Sequence, residues 1–179
     1  IAVASGDSDG NIKVTYGDPQ TTVEFASTQD ITVTGSTEQY NITVSADVSA
    51  TLILSGVSID VSSIRQRSAI DLSNAGACTI QLAAETENGL KAGEDRPGIH
   101  VPANNKITFN GTGSLNVTGG TSWPGIGRNG DGNILIENGT ITVQGGSRAA
   151  CIGGSWGSSG GTITISGGTV LGLTVGEGA

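Results

Sequence analysis

Apolar and polar residues alternate along this chain in runs of four or five, as in Thr140-Ile141-Thr142-Val143 and Thr162-Ile163-Thr164-Ile165. Side chains of an extended strand point to opposite faces in turn, so each such run predicts a short strand with one buried and one wet face. Between the runs stand Asn110-Gly111, Asn138-Gly139, Gly119-Gly120 and Gly145-Gly146. These are turn signals, because glycine accepts the positive φ that tight turns demand. One segment competes. Residues 77–88 hold no Gly or Pro before position 89, and Ala83-Ala84-Glu85 would suit a helix. We expect strand there, because Ile80/Leu82 fall in step with the rest of the chain.

That step is a repeat. Leu52/Leu54, Ile80/Leu82, Ile107/Phe109, Ile134/Ile136 and Ile163/Ile165 begin 28, 27, 27 and 29 residues apart. A second series runs Ile59/Val61, Leu115/Val117 and Ile141/Val143, with a weak member at Leu90. A third is Ala69-Ile70, Gly98-Ile99, Gly125-Ile126 and Cys151-Ile152. A unit of three short strands cannot bury its apolar face alone. Stacked at about 4.8 Å, such units bury a continuous column while each strand pairs with its counterparts above and below. The pattern therefore predicts an all-β fold, a right-handed parallel β-helix (β-solenoid) with about 27 residues and three short strands per coil. A β-sandwich of hairpins also shows short alternating strands. It gives no reason for three positions to keep register through successive units.

Residues 1–48 have a shorter period (Ile12/Val14, Val23/Phe25, Ile31/Val33, Ile42/Val44) and are expected to form irregular N-terminal coils and a cap. Open solenoid ends expose unpaired strand edges that need covering. Residues 49–179 are expected to form the coils proper, as one continuous domain of a longer surface protein. The missing initiator Met and the ending Gly176-Glu177-Gly178-Ala179 are read in the same way.

Composition supports a β-rich fold. Of 179 residues 30 are Gly, only 3% are aromatic and none is Met, so the core must be filled by Ile, Val, Leu and Thr. The charge balance of 8 Lys+Arg against 16 Asp+Glu, net −8, has the wrong sign for holding a phosphate backbone. No nucleic-acid partner is expected. No run reaches the roughly 18 apolar residues of a membrane span, and no basic start leads into an apolar signal core.

The units Gly111-Thr112-Gly113-Ser114-Leu115-Asn116-Val117-Thr118-Gly119-Gly120 with Pro124-Gly125-Ile126-Gly127, and Gly139-Thr140-Ile141-Thr142-Val143-Gln144-Gly145-Gly146 with Ala150-Cys151-Ile152-Gly153-Gly154, carry a family likeness. They resemble the Gly-Ile-Gly-Gly repeats of large cell-surface proteins of gut Firmicutes, described as carbohydrate-binding or adhesin-like β-helix domains. The run Val48 to Asp60 is similar to the segment preceding those repeats, so the likeness covers roughly residues 30–175. His100-Val101 and Arg128 depart from it, standing where Gly-Gly is usual. The resemblance implies a module of a secreted or cell-wall attached bacterial protein binding an extracellular glycan or a host surface protein; we expect it to be non-catalytic and monomeric.

Several short motifs bear on chemistry. Gly125-Ile126-Gly127-Arg128-Asn129-Gly130 spells a dinucleotide fingerprint, but that motif needs a following helix, and Asn133-Ile134-Leu135-Ile136 reads as strand. Asp7-Ser8-Asp9-Gly10-Asn11 opens like a calcium loop, yet Asp18 stands where a bidentate Glu would close it. Calcium fits the run without being predicted, and no cofactor or metal is expected. Cys78 and Cys151 fall two coils apart, about 10 Å along the axis. A disulfide spans Cα atoms only up to about 7 Å, so both are expected to be unpaired.

The basic and indole residues are the more informative set. Arg65, Arg67, Arg96, Arg128 and Arg148, with Trp123 and Trp156, all lie in or near the third-strand register. Counting three residues back from isoleucines 70, 99, 126 and 152 gives Arg67, Arg96, Trp123 and Ala149. Counting one forward gives Asp71, His100, Gly127 and Gly153. The expected ligand site is therefore a ladder of Arg67, Arg96, Trp123, Asp71, His100, Arg128, Arg148 and Trp156 on one corner of an acidic rod. Indoles stack on sugar rings, and guanidinium forks pair with carboxylates or sulfates. The same anchors would serve an adhesin for mucin or immunoglobulin. They could also merely cover the apolar corner and pair with Glu94 and Asp95. A polysaccharide lyase or hydrolase is the runner-up class, but Asp71 is the sole acid on the ladder and glycoside hydrolysis wants two carboxylates about 5–9 Å apart. A structural stalk is the remaining alternative.

Overall fold

The computed structural model describes residues 2–5, 12–15, 22–25, 30–44, 46–101, 103, 105–127 and 132–173, the first three segments as backbone only. The chain enters through β1 (Ala2–Ser5), β2 (Ile12–Thr15) and β3 (Thr22–Phe25). It then winds through β4 (Asp30–Thr37) and β5 (Asn41–Val44), followed by β6 (Thr51–Asp60) and β7 (Ile70–Asp71). Three-strand coils come next: β8 (Cys78–Leu82), β9 (Glu87–Lys91) and β10 (Ile99–His100), then β11 (Lys106–Gly111), β12 (Ser114–Thr118) and β13 (Ile126–Gly127). The last elements are β14 (Asn133–Ile136), β15 (Thr140–Gln144), β16 (Ile152–Gly153), β17 (Thr162–Ile165) and β18 (Thr169–Leu173). This is an all-β solenoid of about five turns with parallel strands about 28 residues apart.

Each face of the rod is a parallel ladder. Its first face runs β6-β8-β11-β14-β17, its second β6-β9-β12-β15-β18, and its third β5-β7-β10-β13-β16. The first two faces join in one sheet because β6 is ten residues long and lines both. Parallel stacking reaches back to β4, which pairs with β6, and through β5, which pairs with β7, to β3, which pairs with β5. At that end β1 pairs antiparallel with β4, and β2 antiparallel with β3. The segment 77–88 holds β8, a turn and the start of β9, and no helix.

Inward positions form continuous columns. Ile70, Ile99, Ile126 and Ile152 stand directly over one another, in the expected register, and Ile42 extends the same column into the preceding coil. On the first face the expected register holds at three of the four steps and slips by two residues between β8 and β11; on the second it holds between β12 and β15 and slips by two where β6 meets the coils above. Ile80 pairs with Phe109 rather than Ile107, and Cys78 pairs with Ile107. Likewise Ile59 meets Leu90 and, beyond it, Val117 and Val143, so Val57/Ile59 replaces Val61 in the second series. A slip of two keeps every apolar side chain on the same face, so alternation alone cannot detect it. What sets it on the first face is the link from the third strand back to the first, eight residues from Ile70 to Cys78, from Ile99 to Ile107 and from Ile126 to Ile134. Cys78 acts as a small apolar core residue in that column.

The core is aliphatic, with Phe109 its one fully buried aromatic among the described residues. Among the described residues Asn41, Ser68, Asn88 and His100 are buried polar groups, and Asn88 interrupts an otherwise apolar column. Asn88 is 1% exposed and stands level with Leu115, whose own neighbour is Ile141. Its Oδ1 accepts the Val57 N–H at 2.9 Å, and its Nδ2 donates to the Ser114 carbonyl at 3.0 Å. The amide thus bridges the coils on either side and satisfies backbone groups at a corner where strands diverge.

Candidate functional site

The corner between the second and third faces is a turn repeated coil after coil. Gly93 N–H donates to the Arg67 carbonyl, Gly120 N–H to the Arg96 carbonyl, and Gly146 N–H to the Trp123 carbonyl. These three equal bonds make Arg67, Arg96 and Trp123 structural equivalents in successive coils, about 4.8 Å apart in rise. Each follows a non-glycine residue in the left-handed region: Gln66 (φ 56°), Asp95 (φ 62°) and Ser122 (φ 62°). Such a conformation costs an L-residue roughly 1–2 kcal/mol, so the turn is held by its coil neighbours rather than by local preference. Glycines at the foot of the turn let backbones approach: a Cβ on Gly120 would strike the Gly93 carbonyl.

The charges of the corner are not equally committed. Arg65 is exposed and pairs upward with the next coil, Nε to Glu94 at 3.3 Å and Nη2 to Asp95 at 2.9 Å. Being exposed, these pairs contribute little to stability, but they engage both acids of the turn. Arg67 is half-buried, and its Nη1 donates to the Gln39 carbonyl at 3.1 Å. Arg96 is half-buried as well; its Nη1 donates to the Asp95 carbonyl at 3.4 Å, and no carboxylate pairs with it among the described residues. Trp123 is half-buried above it. One coil higher the Arg148 guanidinium lies 5.7 Å from the ring centre of Trp156, which is 75% exposed. That is a cation–π geometry.

Asp71 and His100 do stack in register, with Gly127 and Gly153 above them. They do not present themselves to solvent as a ladder would. His100 is 8% exposed; its Nδ1 sits 3.1 Å from Asp71 Oδ1, within ion-pairing distance but without hydrogen-bond alignment, and Nε2 has no partner among the described residues. Burial pushes the Asp71 carboxyl up, but His100 and the hydrogen bonds of Ser73 outweigh it and hold the carboxyl at about 2. Above them the column turns to glycine because Gly127 has φ 136° and a Cβ there would run into the Gly153 backbone. Arg128 lies outside the described residues, as do Asp7, Asp9, Asn11 and Asp18 of the calcium-like run.

The structure thus groups Arg67, Arg96 and Trp123 in one column, places Arg148 and Trp156 together one coil above, and sets a half-buried Asp71 and a buried His100 on the third face. The alternative in which the arginines pair with Glu94 and Asp95 holds for Arg65. The signal was its separation of 29 and 30 residues from Glu94 and Asp95, one coil length. Both cysteines are free, Cys78 buried and Cys151 half-buried. Among the described residues no three His, Cys, Asp or Glu side chains are grouped to hold a metal ion, and no helix is long and apolar enough to cross a membrane.

In a parallel β-solenoid successive coils present equivalent surface positions along one corner. A family described as carbohydrate-binding domain-containing protein matches residues 18–177, and the chain belongs to that family. Searches of curated proteins and of solved structures return no match. The chain is accordingly a carbohydrate-binding module.

Proposed function

We propose that this module is a non-catalytic part of a secreted or wall-attached bacterial protein, binding extracellular glycan along the Arg67–Arg96–Trp123 corner without a cofactor. The observation that carries the reading is the equivalence of those three residues, whose carbonyls accept the same bond from Gly93, Gly120 and Gly146. A ligand built of repeating units meets one anchor per coil, and contacts along a chain gain through effective concentration. Family membership supports carbohydrate as the ligand class. The burial of His100 supports binding over catalysis, since neither of its ring nitrogens reaches the surface.

The test is a glycan array with the wild-type module and the Trp123→Ala and Arg96→Ala variants. Binding that is lost in both variants, with unchanged circular dichroism, supports the corner as the site. Retained binding in both moves the site elsewhere on the rod. Binding to mucin or immunoglobulin with a blank array favours the host-protein reading, which the exposed Trp156 beside Arg148 would serve.

A further inference from the structure

We propose that the ligand of this corner is an acidic polysaccharide, a chain of sugars bearing carboxylates, and that Arg96 is the residue reading the acid group. The inference rests on the corner being the binding face and names the chemistry that face selects. A neutral glycan needs flat rings to stack on, and an aromatic ladder for one would repeat an indole or phenol in consecutive coils. Here consecutive coils present Arg67, then Arg96, then Trp123. Two cations at equivalent turn positions of adjacent coils repel one another, and the chain has a ready means of relieving it, because Glu94 and Asp95 lie in the same turn as Arg96.

Both of those acids are instead taken by Arg65 from the coil below. Arg65 thereby removes the nearest internal competitors for Arg96, whose guanidinium is left with a backbone carbonyl at 3.4 Å. A guanidinium is a fixed fork of donors that matches a carboxylate with two parallel bonds. Trp123 stands one coil above, so a sugar ring over the indole places its ring substituents within a coil rise of the Arg96 fork. Half-burial of both side chains limits how far they move, which reduces the ordering cost of binding. The net charge of −8 repels a polyanion at long range, so recognition depends on this local pair rather than on bulk attraction. A module of that charge gains selectivity: acidic chains that fail to seat on Arg96 are rejected.

The experiment measures binding by calorimetry in metal-free buffer to polygalacturonate, to its fully methyl-esterified form and to a neutral glucan, with poly-glutamate and a sulfated glycan as further probes. The expected result is binding of polygalacturonate at least about tenfold tighter than of the methyl ester. Arg96→Gln should abolish that difference, Arg96→Lys should restore part of it, and Lys106→Gln, on the opposite face, should leave it unchanged. Equal binding of the ester or the glucan, still dependent on Trp123, overturns the acidic reading and leaves the carbohydrate corner standing. A preference for the sulfated glycan at equal charge overturns the carboxylate assignment, and tight binding of poly-glutamate overturns selection for sugar. Binding of polygalacturonate that survives both Arg96→Gln and Trp123→Ala overturns the corner itself.

Discussion

Asn88 separates two ways of thinking about a solenoid core. Its column is otherwise apolar, with Leu115 and Ile141 at the equivalent places in the next coils. By column logic Asn88→Leu should stabilise the protein, since full burial of a leucine contributes about 1.5–3 kcal/mol. The hydrogen bonds say otherwise. The change strands the buried Val57 N–H, at roughly 1–3 kcal/mol, and removes the side-chain bond to the Ser114 carbonyl, at about 1 kcal/mol more. The Thr86 hydroxyl loses only a long 3.4 Å contact and keeps its bond to the Ala83 carbonyl, so it adds little. The net is a loss of about 1 kcal/mol, which for a chain of this length lowers the melting temperature by about 2–4 °C. Thermal unfolding at neutral pH reads the shift, and amide exchange at Val57 should accelerate relative to the β12 amides. A variant that melts at or above the wild-type temperature would refute the claim that backbone satisfaction outweighs apolar burial at this corner. Asn88→Asp should be worse than leucine, because a carboxylate cannot donate to Ser114 and brings a charge into the core.

Asp71 should give an acid limb to stability. Its folded carboxyl is held at about 2 against 3.8 unfolded, so the contribution is fully present above about pH 4 and lost as pH falls through 2; it amounts to about 2 kcal/mol. Urea midpoints at pH 6 and pH 2.5 should show that fall in the wild type and a flatter profile in Asp71→Asn, and an unchanged acid limb in the variant would exclude the pair as its origin. Gly127→Ala should destabilise by about 3 kcal/mol, since φ 136° excludes alanine and its Cβ meets the Gly153 backbone; a melting temperature within a degree or so of wild type would count against this. Ser122→Gly relieves left-handed strain (φ 62°) beside Trp123 and should raise stability by about 0.5–1 kcal/mol after glycine's extra unfolded entropy is subtracted. A drop in melting temperature would mean that the serine side chain carries an interaction the turn depends on.

Architecture was readable from the chain because three features recur together: alternation within strands, glycine turns between them, and a period near 28 residues. The isoleucine column of the third face came out at its true register, since Ile70, Ile99, Ile126 and Ile152 are each the lone large apolar residue after a small one. On the other faces each strand offers two or three apolar residues at a spacing of two, and any pair serves equally well as a register mark. Ile107 against Cys78 and Ile59 against Leu90 are decided by link lengths and by close packing, which the alternation does not encode. The burial of His100 was illegible for a similar reason. A position one residue after an inward isoleucine should face outward, and only the packing around β10 covers it.

The same contrast explains why the corner carries the variation. An inward residue is fixed by the residues above and below it, so Ile70, Ile99 and Ile126 differ little in what they can become. A residue three positions earlier is anchored through its carbonyl, which accepts from Gly93, Gly120 or Gly146 whatever side chain it bears. Backbone bonds therefore hold the turn while its side chains are free to change from coil to coil, here from Arg67 to Arg96 to Trp123 to Ala149. Specificity written in such a column follows the order of residues along the axis, and reordering it should alter ligand choice without altering the fold. Exchanging the two side chains, with Arg96→Trp and Trp123→Arg in one variant, should keep the melting temperature within a few degrees. It should also shift glycan preference, because the acid-reading fork and the stacking ring then meet the ligand in reverse order. If preference survives the exchange unchanged, the column acts through composition alone and its vertical order carries no information.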